Sequence, residues 1–342
     1  MSMERHERPG VYSSYDASTV VSGAGGGRVV GITAKSTGGT VGKLYRLTRQ
    51  EEAVAAFGPS DSLTALCALL FQNGAGVVCA VPVKSDADYA GAFNTLGAEE
   101  DIAVVVCDST TLSIQQGLRD SVKAASEARR ERIAVLPGGD GTASQLAERA
   151  SGINSERVVL VAPGNGDAVK AAAAVAGAIA HQTDPAVPLG GAVLYGLGDL
   201  TAQYGDSELD VLIRGGVTPL ERMGGEVSVV RGVTTRTKTG DVPDATWREL
   251  STVMIIDEVI PAIRNALRAK FHRAKNTAQS RGAVRAQVIM ELEERVSREI
   301  IDGYENVIVS VSTEDPTVCL VDFSFAVVHG MNQIWLTAHI KV

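Results

Sequence analysis

Short, almost wholly apolar runs recur between residues 77 and 163: VVCAVPV (77–83), IAVVVC (102–107), RIAVLP (132–137) and RVVLVAP (157–163). The segments between them carry helical patterns, running to about residue 97, then over 112–130, 142–151 and 166–181. A strand with polar residues on alternate positions keeps one face in water. These runs have none to spare, so each must be buried on both faces. Apolar strands alternating with helices predict a mainly parallel α/β sheet flanked by helices, with right-handed crossovers. Upstream, RVVGITA and GKLYRLT read as short strands. The helix EEAVAAFG ends at Gly58-Pro59, and another helix spans 62–73. Residues 28–73 fit either a small β-rich subdomain or the opening of the main α/β domain.

Composition agrees with close packing of small side chains. Aromatic residues make up 4% of the 342-residue chain and glycine accounts for 36 positions. The net charge of −8 argues against binding nucleic acid by phosphate neutralisation. Cys67, Cys79, Cys107 and Cys319 sit in apolar runs without a CxxC pair, which suggests free thiols in a reducing compartment. MSMERHERPG lacks the apolar core of a signal peptide, and no apolar run approaches 18 residues. Synthesis and retention in the cytoplasm, with no direct membrane insertion, is the expectation.

After residue 181 the pattern changes. LDVLIRGG predicts a short helix, and GVTPLE and EVSVVRGVTTRT predict a strand pair turning at Gly224-Gly225. Arg222, Arg231 and Arg236 in this passage are candidate surface contacts. Two long helices follow, over roughly 244–272 and 277–301. The second carries Val284, Val288, Leu292, Val296 and Ile300 as one apolar stripe. NVIVSVST, TVCLVDFSFAVVH and IWLTAHIKV then read as strands, the first two completing an α+β C-terminal domain over 241–331. Both termini read as extended arms. The first, 1–27, ends in a glycine joint at Gly23, Gly25, Gly26 and Gly27. The second, 332–342, alternates strictly: Ile334, Leu336, Ala338, Ile340 and Val342 against Trp335, Thr337, His339 and Lys341. A terminal strand of this kind can be handed to a neighbour.

The chain offers only near misses to catalytic motifs. LPGGDGT (136–142) resembles the nucleotide loop of NAD kinases and diacylglycerol kinases. Its bland alternative is a glycine turn whose Asp140 or Thr142 caps the next helix. PGNGDAVKAA (163–172) has Val169 where a dinucleotide loop needs its third glycine. STGGTVGKL puts Thr37 and Leu44 where a P-loop needs Gly and Ser or Thr. YGDSEL around Ser207 faintly resembles a GDSL esterase motif, but in the wrong context. Histidines 6, 181, 272, 329 and 339 show no ligand spacing. No catalytic, cofactor or metal residues are assigned.

Arg8-Pro9-Gly10-Val11-Tyr12, the α/β domain, LDVLIRGGVTPLERMGGEVSVVRGVTT and the closing strand together resemble a contractile tail sheath protein of phages or R-type bacteriocins. The resemblance covers essentially the whole chain. It implies a non-enzymatic subunit whose α/β domain, over 28–240, is subtilisin-like in fold only. It further implies hexameric rings stacked helically around a tail tube protein, with baseplate and tail terminator proteins as partners in a particle tail. The Arg8–Tyr12 arm and the C-terminal strand would add strands to neighbouring subunits, and the glycine joint would let the bodies move. Two alternatives stay open: a kinase using the GGDGT loop, and a static shell or tube subunit.

Overall fold

The computed structural model describes residues 27–163, 168–198, 200, 203–332 and 335–337. Among these, a nine-stranded sheet has the order β2-β3-β1-β4-β5-β6-β8-β9-β7. Its strands are β1 (Val29–Lys35), β2 (Tyr45–Leu47), β3 (Val77–Val83), β4 (Ile102–Cys107), β5 (Ile133–Pro137), β6 (Val158–Ala162), β7 (Val193–Leu194), β8 (Val217–Met223) and β9 (Glu226–Val229). The pairings β3-β1-β4-β5-β6-β8 are parallel, whereas β2, β9 and β7 each join antiparallel. Residues 28–73 open this sheet: β1 lies between β3 and β4, and β2 forms an edge.

Period-two alternation divides the apolar runs between two cores. Val30, Ile32, Val104, Val106, Val159 and Val161 face α1 (Gln50–Phe57), α2 (Ser62–Gln72) and α6 (Ala168–His181). Val81, Val105, Leu136 and Leu160 face α3 (Tyr89–Ala98), α4 (Leu112–Glu127), α5 (Ala143–Ile153) and α7 (Asp206–Arg214). The alanines of α6 are the reason its backbone lies so close to the sheet and to α2. A Cβ on its Gly177 would stand 2.7 Å from the Asn73 Cβ.

The glycine turn expected after β8 is present. Gly224 and Gly225 both have positive φ, 63° and 95°, as the tight turn of a twisted hairpin requires. The helix expected from 244 starts later. Residues 238–243 form a small hairpin, β10 (Lys238–Thr239) with β11 (Val242–Pro243), and α8 spans Leu250–Phe271. Pro243 and an Asp244 side chain that accepts from Thr239 and Thr246 hold the chain in turns there. Then come α9 (Ala278–Ser297), β12 (Ile301–Val311) and β13 (Cys319–Val327).

Helix α8 joins the two parts of the molecule. Leu250 and Met254 belong to the first core, while Ile255, Val259, Ile263 and Leu267 pack with α9 and β12 in a third. Where α8 passes the N-terminal ends of the strands, Asp257 pairs with Arg157 and Arg264 pairs with Glu131 at 3.1 Å, all four side chains buried.

Candidate assembly surface

Strands β12 and β13 form a two-stranded antiparallel sheet, with a register shift between Glu305 and Ile308. One face is apolar. Val309, Val321, Phe323, Phe325 and Val327 are half-buried against α9, and the Phe323 and Phe325 rings stack with centroids 6.3 Å apart. The other face, with Ile308, Leu320, Asp322 and Ser324, is exposed. Among the described residues neither strand pairs with a third. A two-stranded hairpin is marginal by itself and leaves a row of N–H and C=O groups on each outer edge. Here α9 supplies the support: the Arg285 Nε donates to the Val307 carbonyl at 2.8 Å. Asn276, just before α9, donates to the Pro316 carbonyl at 2.8 Å and so anchors the loop between the strands. The sheet is therefore firmly mounted on one face and open at its edges.

The residues expected to act between subunits fall mostly outside this description. Arg8, Pro9, Gly10, Val11, Tyr12, Gly23, Gly25 and Gly26 lie outside the described residues, as do Ile334, Ala338, His339, Ile340, Lys341 and Val342. Trp335, Leu336 and Thr337 are described. Trp335 is 90% exposed and Leu336 91%, a costly display for side chains of this size unless something else covers them. Gly27 sits where two backbones cross. A Cβ there would stand 1.9 Å from the Gly74 carbonyl oxygen, and one on Gly76 would stand 2.0 Å from the Gly27 oxygen. Arg28 continues the contact by donating its N–H to the Ala180 carbonyl at 2.9 Å. Glycine is required at position 27 for close approach, a different reason from flexibility.

Two arginines read as surface contacts are internal braces. Arg231 pairs with Glu249 at 2.5 Å and Arg236 with Glu156 at 2.9 Å, each less than a third exposed. They tie the passage after β9 to the start of α8 and to the turn before β6.

The loops that came near to catalytic motifs spend their polar groups on local structure. Thr142 is the N-cap of α5, accepting from the Gln145 N–H, while the Gln145 side chain accepts from the Thr142 N–H. Asp140 is exposed. Glu208 reaches back to the Gly205 N–H at 3.0 Å, in the same manner, at the start of α7. Asp61 accepts from the Thr37 N–H and hydroxyl and from the Leu63 N–H, which holds the STGGT turn against the N-terminus of α2. An open polar cleft adjoins it, lined by Lys35, Ser36, Thr37, Ser60, Asp61, Ser62 and Lys84. Residues 164–167 of the PGNGD turn lie outside the described residues. Among the described residues no group of three His, Cys, Asp or Glu side chains is placed to hold a metal ion, and no helix is long and apolar enough to cross a membrane. Burial pushes the Cys67 and Cys107 thiols up to about 12, far from thiolate chemistry.

Sequence reasoning missed the buried ion pairs beneath α8. A signal was present: a glutamate stands directly before the arginine that opens each of RIAVLP and RVVLVAP, as Glu131-Arg132 and Glu156-Arg157. A charged pair repeated against apolar strands marks a place where charge is buried with partners. Arg132 uses its guanidinium differently, donating to the Leu96 and Glu99 carbonyls at the end of α3 at 2.8 and 2.7 Å.

Residues 83–235 match the family model of the phage tail sheath protein central domain, and residues 242–341 that of the phage tail sheath C-terminal domain. The tail sheath protein of Bacillus phage SP01 is 32% identical over 255 residues, covering 70% of this chain and 43% of that protein. The chain thus spans less than half the length of this relative. The helical sheath of the anti-feeding prophage in its contracted state superposes with a TM-score of 0.71 at 16% identity, over 98% of this chain and 100% of that one. The sheath tail protein of Desulfitobacterium hafniense gives 0.69 at 11% identity, over 93% and 100%. These two likenesses concern the fold.

Proposed function

The chain belongs to the phage tail sheath family, and we propose that it is the structural, non-enzymatic subunit of a contractile tail sheath. Copies polymerise as stacked hexameric rings around a tail tube, anchored at a baseplate, and shorten to drive the tube through a target cell envelope. The observation that carries this reading is the β12–β13 sheet, supported on one face and, among the described residues, open along both edges, with the exposed Trp335 and Leu336 just beyond it.

An open two-stranded sheet accepts strands. Addition of the 1–27 arm and the 332–342 strand from neighbouring copies would give each link a ladder of backbone hydrogen bonds, each worth about 0.5–1.5 kcal/mol net. Such links survive rotation of the globular bodies because they are extended and cooperative. With Gly27 held in a backbone crossing, the pivot of the N-terminal arm falls on the Gly23, Gly25 and Gly26 side of it.

Purified full-length protein should form tubes in negative-stain electron microscopy, in an extended and a shorter, wider lattice. Removal of residues 1–22 or of 332–342 should leave a folded monomer and no tubes. Normal tubes from either truncation would sink the strand-exchange mechanism. A single lattice before and after triggering would favour the static shell.

A further inference from the structure

Between Glu258 and Glu291 the chain holds no acidic residue. Arg264 is spent on Glu131. Arg268, Lys270, Arg273 and Lys275 then crowd the end of α8 and the turn after it, and Arg281 and Arg285 follow on the first turns of α9. At the other end of α9 the sign reverses. Glu291, Glu293 and Glu294 occupy its last turns, and Glu299, Asp302 and Glu305 continue into β12, with Arg295 and Arg298 among them. A helix of this length is about 30 Å long. In a chain of net charge −8, this domain is predominantly positive at one end, where the loop anchored by Asn276 adds only Glu314 and Asp315, and predominantly negative at the other.

Helix physics opposes this arrangement. The macrodipole favours acids at the N-terminus and bases at the C-terminus, by about 0.3–1 kcal/mol per charge. Helix α9 has no acid in its first turn, has Arg281 and Arg285 near its start, and gathers three glutamates near its end. Internal pairing accounts for the helix glutamates, since Arg295 pairs with Glu291 and Glu294 and Tyr304 donates to Glu293, but not for the basic end. Arg281 donates to Asn276, Lys270 to Gln287 and Arg285 to a carbonyl, all neutral acceptors. Arg268, Arg273 and Lys275 are exposed and make no ion pair among the described residues; the same holds for Glu299, Asp302 and Glu305.

We infer that this polarity is an interface between copies: the basic α8–α9 turn of one subunit docks head-to-tail on the acidic α9–β12 end of the next. A second copy is the occupant because each copy carries both complementary patches. A head-to-tail contact can also repeat without closing on itself, as a stacked polymer requires. Complementary charge selects register and accelerates encounter more than it adds affinity. The inference rests on the sheath-subunit reading in taking copies to stack, and it adds a contact separate from the strand links.

The test mixes isotopically light and heavy full-length protein, treats it with a carbodiimide and identifies hybrid cross-links by mass spectrometry. Lys270 or Lys275 should join Glu299, Asp302 or Glu305 across copies. The triple variant Arg268→Glu/Arg273→Glu/Lys275→Glu should lose hybrid cross-links through the remaining Lys270, as should Glu299→Lys/Asp302→Lys/Glu305→Lys through Lys275. Chains carrying all six changes should regain intermolecular cross-links between the two exchanged ends. Inter-copy cross-links confined to other residues would overturn the inference. So would single-end variants that cross-link normally, or a six-fold variant that stays silent; the first two results would point to an acidic partner of another kind at the basic turn. Failure of the sheath reading is scored separately, by the absence of tubes from the unmodified protein.

Discussion

At the scale of single residues, the charged groups under α8 carry the most consequence. Glu131 is buried, with Arg264 on one oxygen and, among the described residues, no hydrogen-bond partner on the other. Burial pushes its carboxyl up to about 7, reinforced by the nearby Asp257 and opposed by Arg264. The folded protein therefore holds a proton there that the unfolded chain releases from about pH 4.5 upward. The sign follows: this group contributes most stability below about pH 4.5, and that contribution is lost as pH rises toward 7. A shift of this size corresponds to roughly 3 kcal/mol at most. Glu131→Gln should flatten the pH dependence of the thermal midpoint between about 5 and 7.5 relative to the parent protein. A parallel slope in the variant would show that Glu131 does not carry it.

At the scale of elements, α8 is held to the strand ends by ion pairs as well as by apolar packing. Arg157 and Asp257 are both buried, and part of each side chain has no partner among the described protein atoms. Asp257→Ala leaves an uncompensated buried guanidinium and should cost about 3–5 kcal/mol in urea unfolding. Adding Arg157→Met should recover much of that loss, since the pair would then be replaced by apolar volume. If the double variant were as unstable as the single one, the cost would lie in cavity formation instead. Other elements owe their ends to local chemistry that was legible beforehand. The Thr142 cap of α5 follows from GGDGT before a helical pattern, and the β8–β9 hairpin from Gly224-Gly225 between apolar runs. The late start of α8 was not legible, because the two-residue strands β10 and β11 lie below the length at which periodicity speaks.

At the scale of the whole molecule, two kinds of contact are proposed to join copies, and they should respond differently to salt. Backbone strand links are insensitive to ionic strength. The head-to-tail charge contact is exposed, and its range shrinks as the screening length falls from about 10 Å at 0.1 M to about 3 Å at 1 M. Raising salt should therefore weaken hybrid cross-linking and raise the protein concentration needed for tubes, without dissolving tubes already linked by strands. Tubes that dissolve at once in 1 M salt would mean that charge, not strand exchange, holds the lattice.

What the sequence by itself determined is the layered architecture. Apolar runs with no polar alternation have to be covered on both faces, so VVCAVPV, IAVVVC, RIAVLP and RVVLVAP dictate a parallel sheet between helices. Two near-motifs were equally legible as misses, because Val169 stands where a dinucleotide loop needs glycine and Thr37 and Leu44 stand where a P-loop needs Gly and Ser or Thr. Only the tertiary structure decided which charges are buried together. Arg157 meets Asp257 from 100 positions away, and Arg264 meets Glu131 from 133. It likewise turned Arg231 and Arg236 inward and brought Gly27 against Gly76. Periodicity reports which face of an element is apolar. Partners distant in the chain are selected by how the elements pack, and no local pattern encodes that.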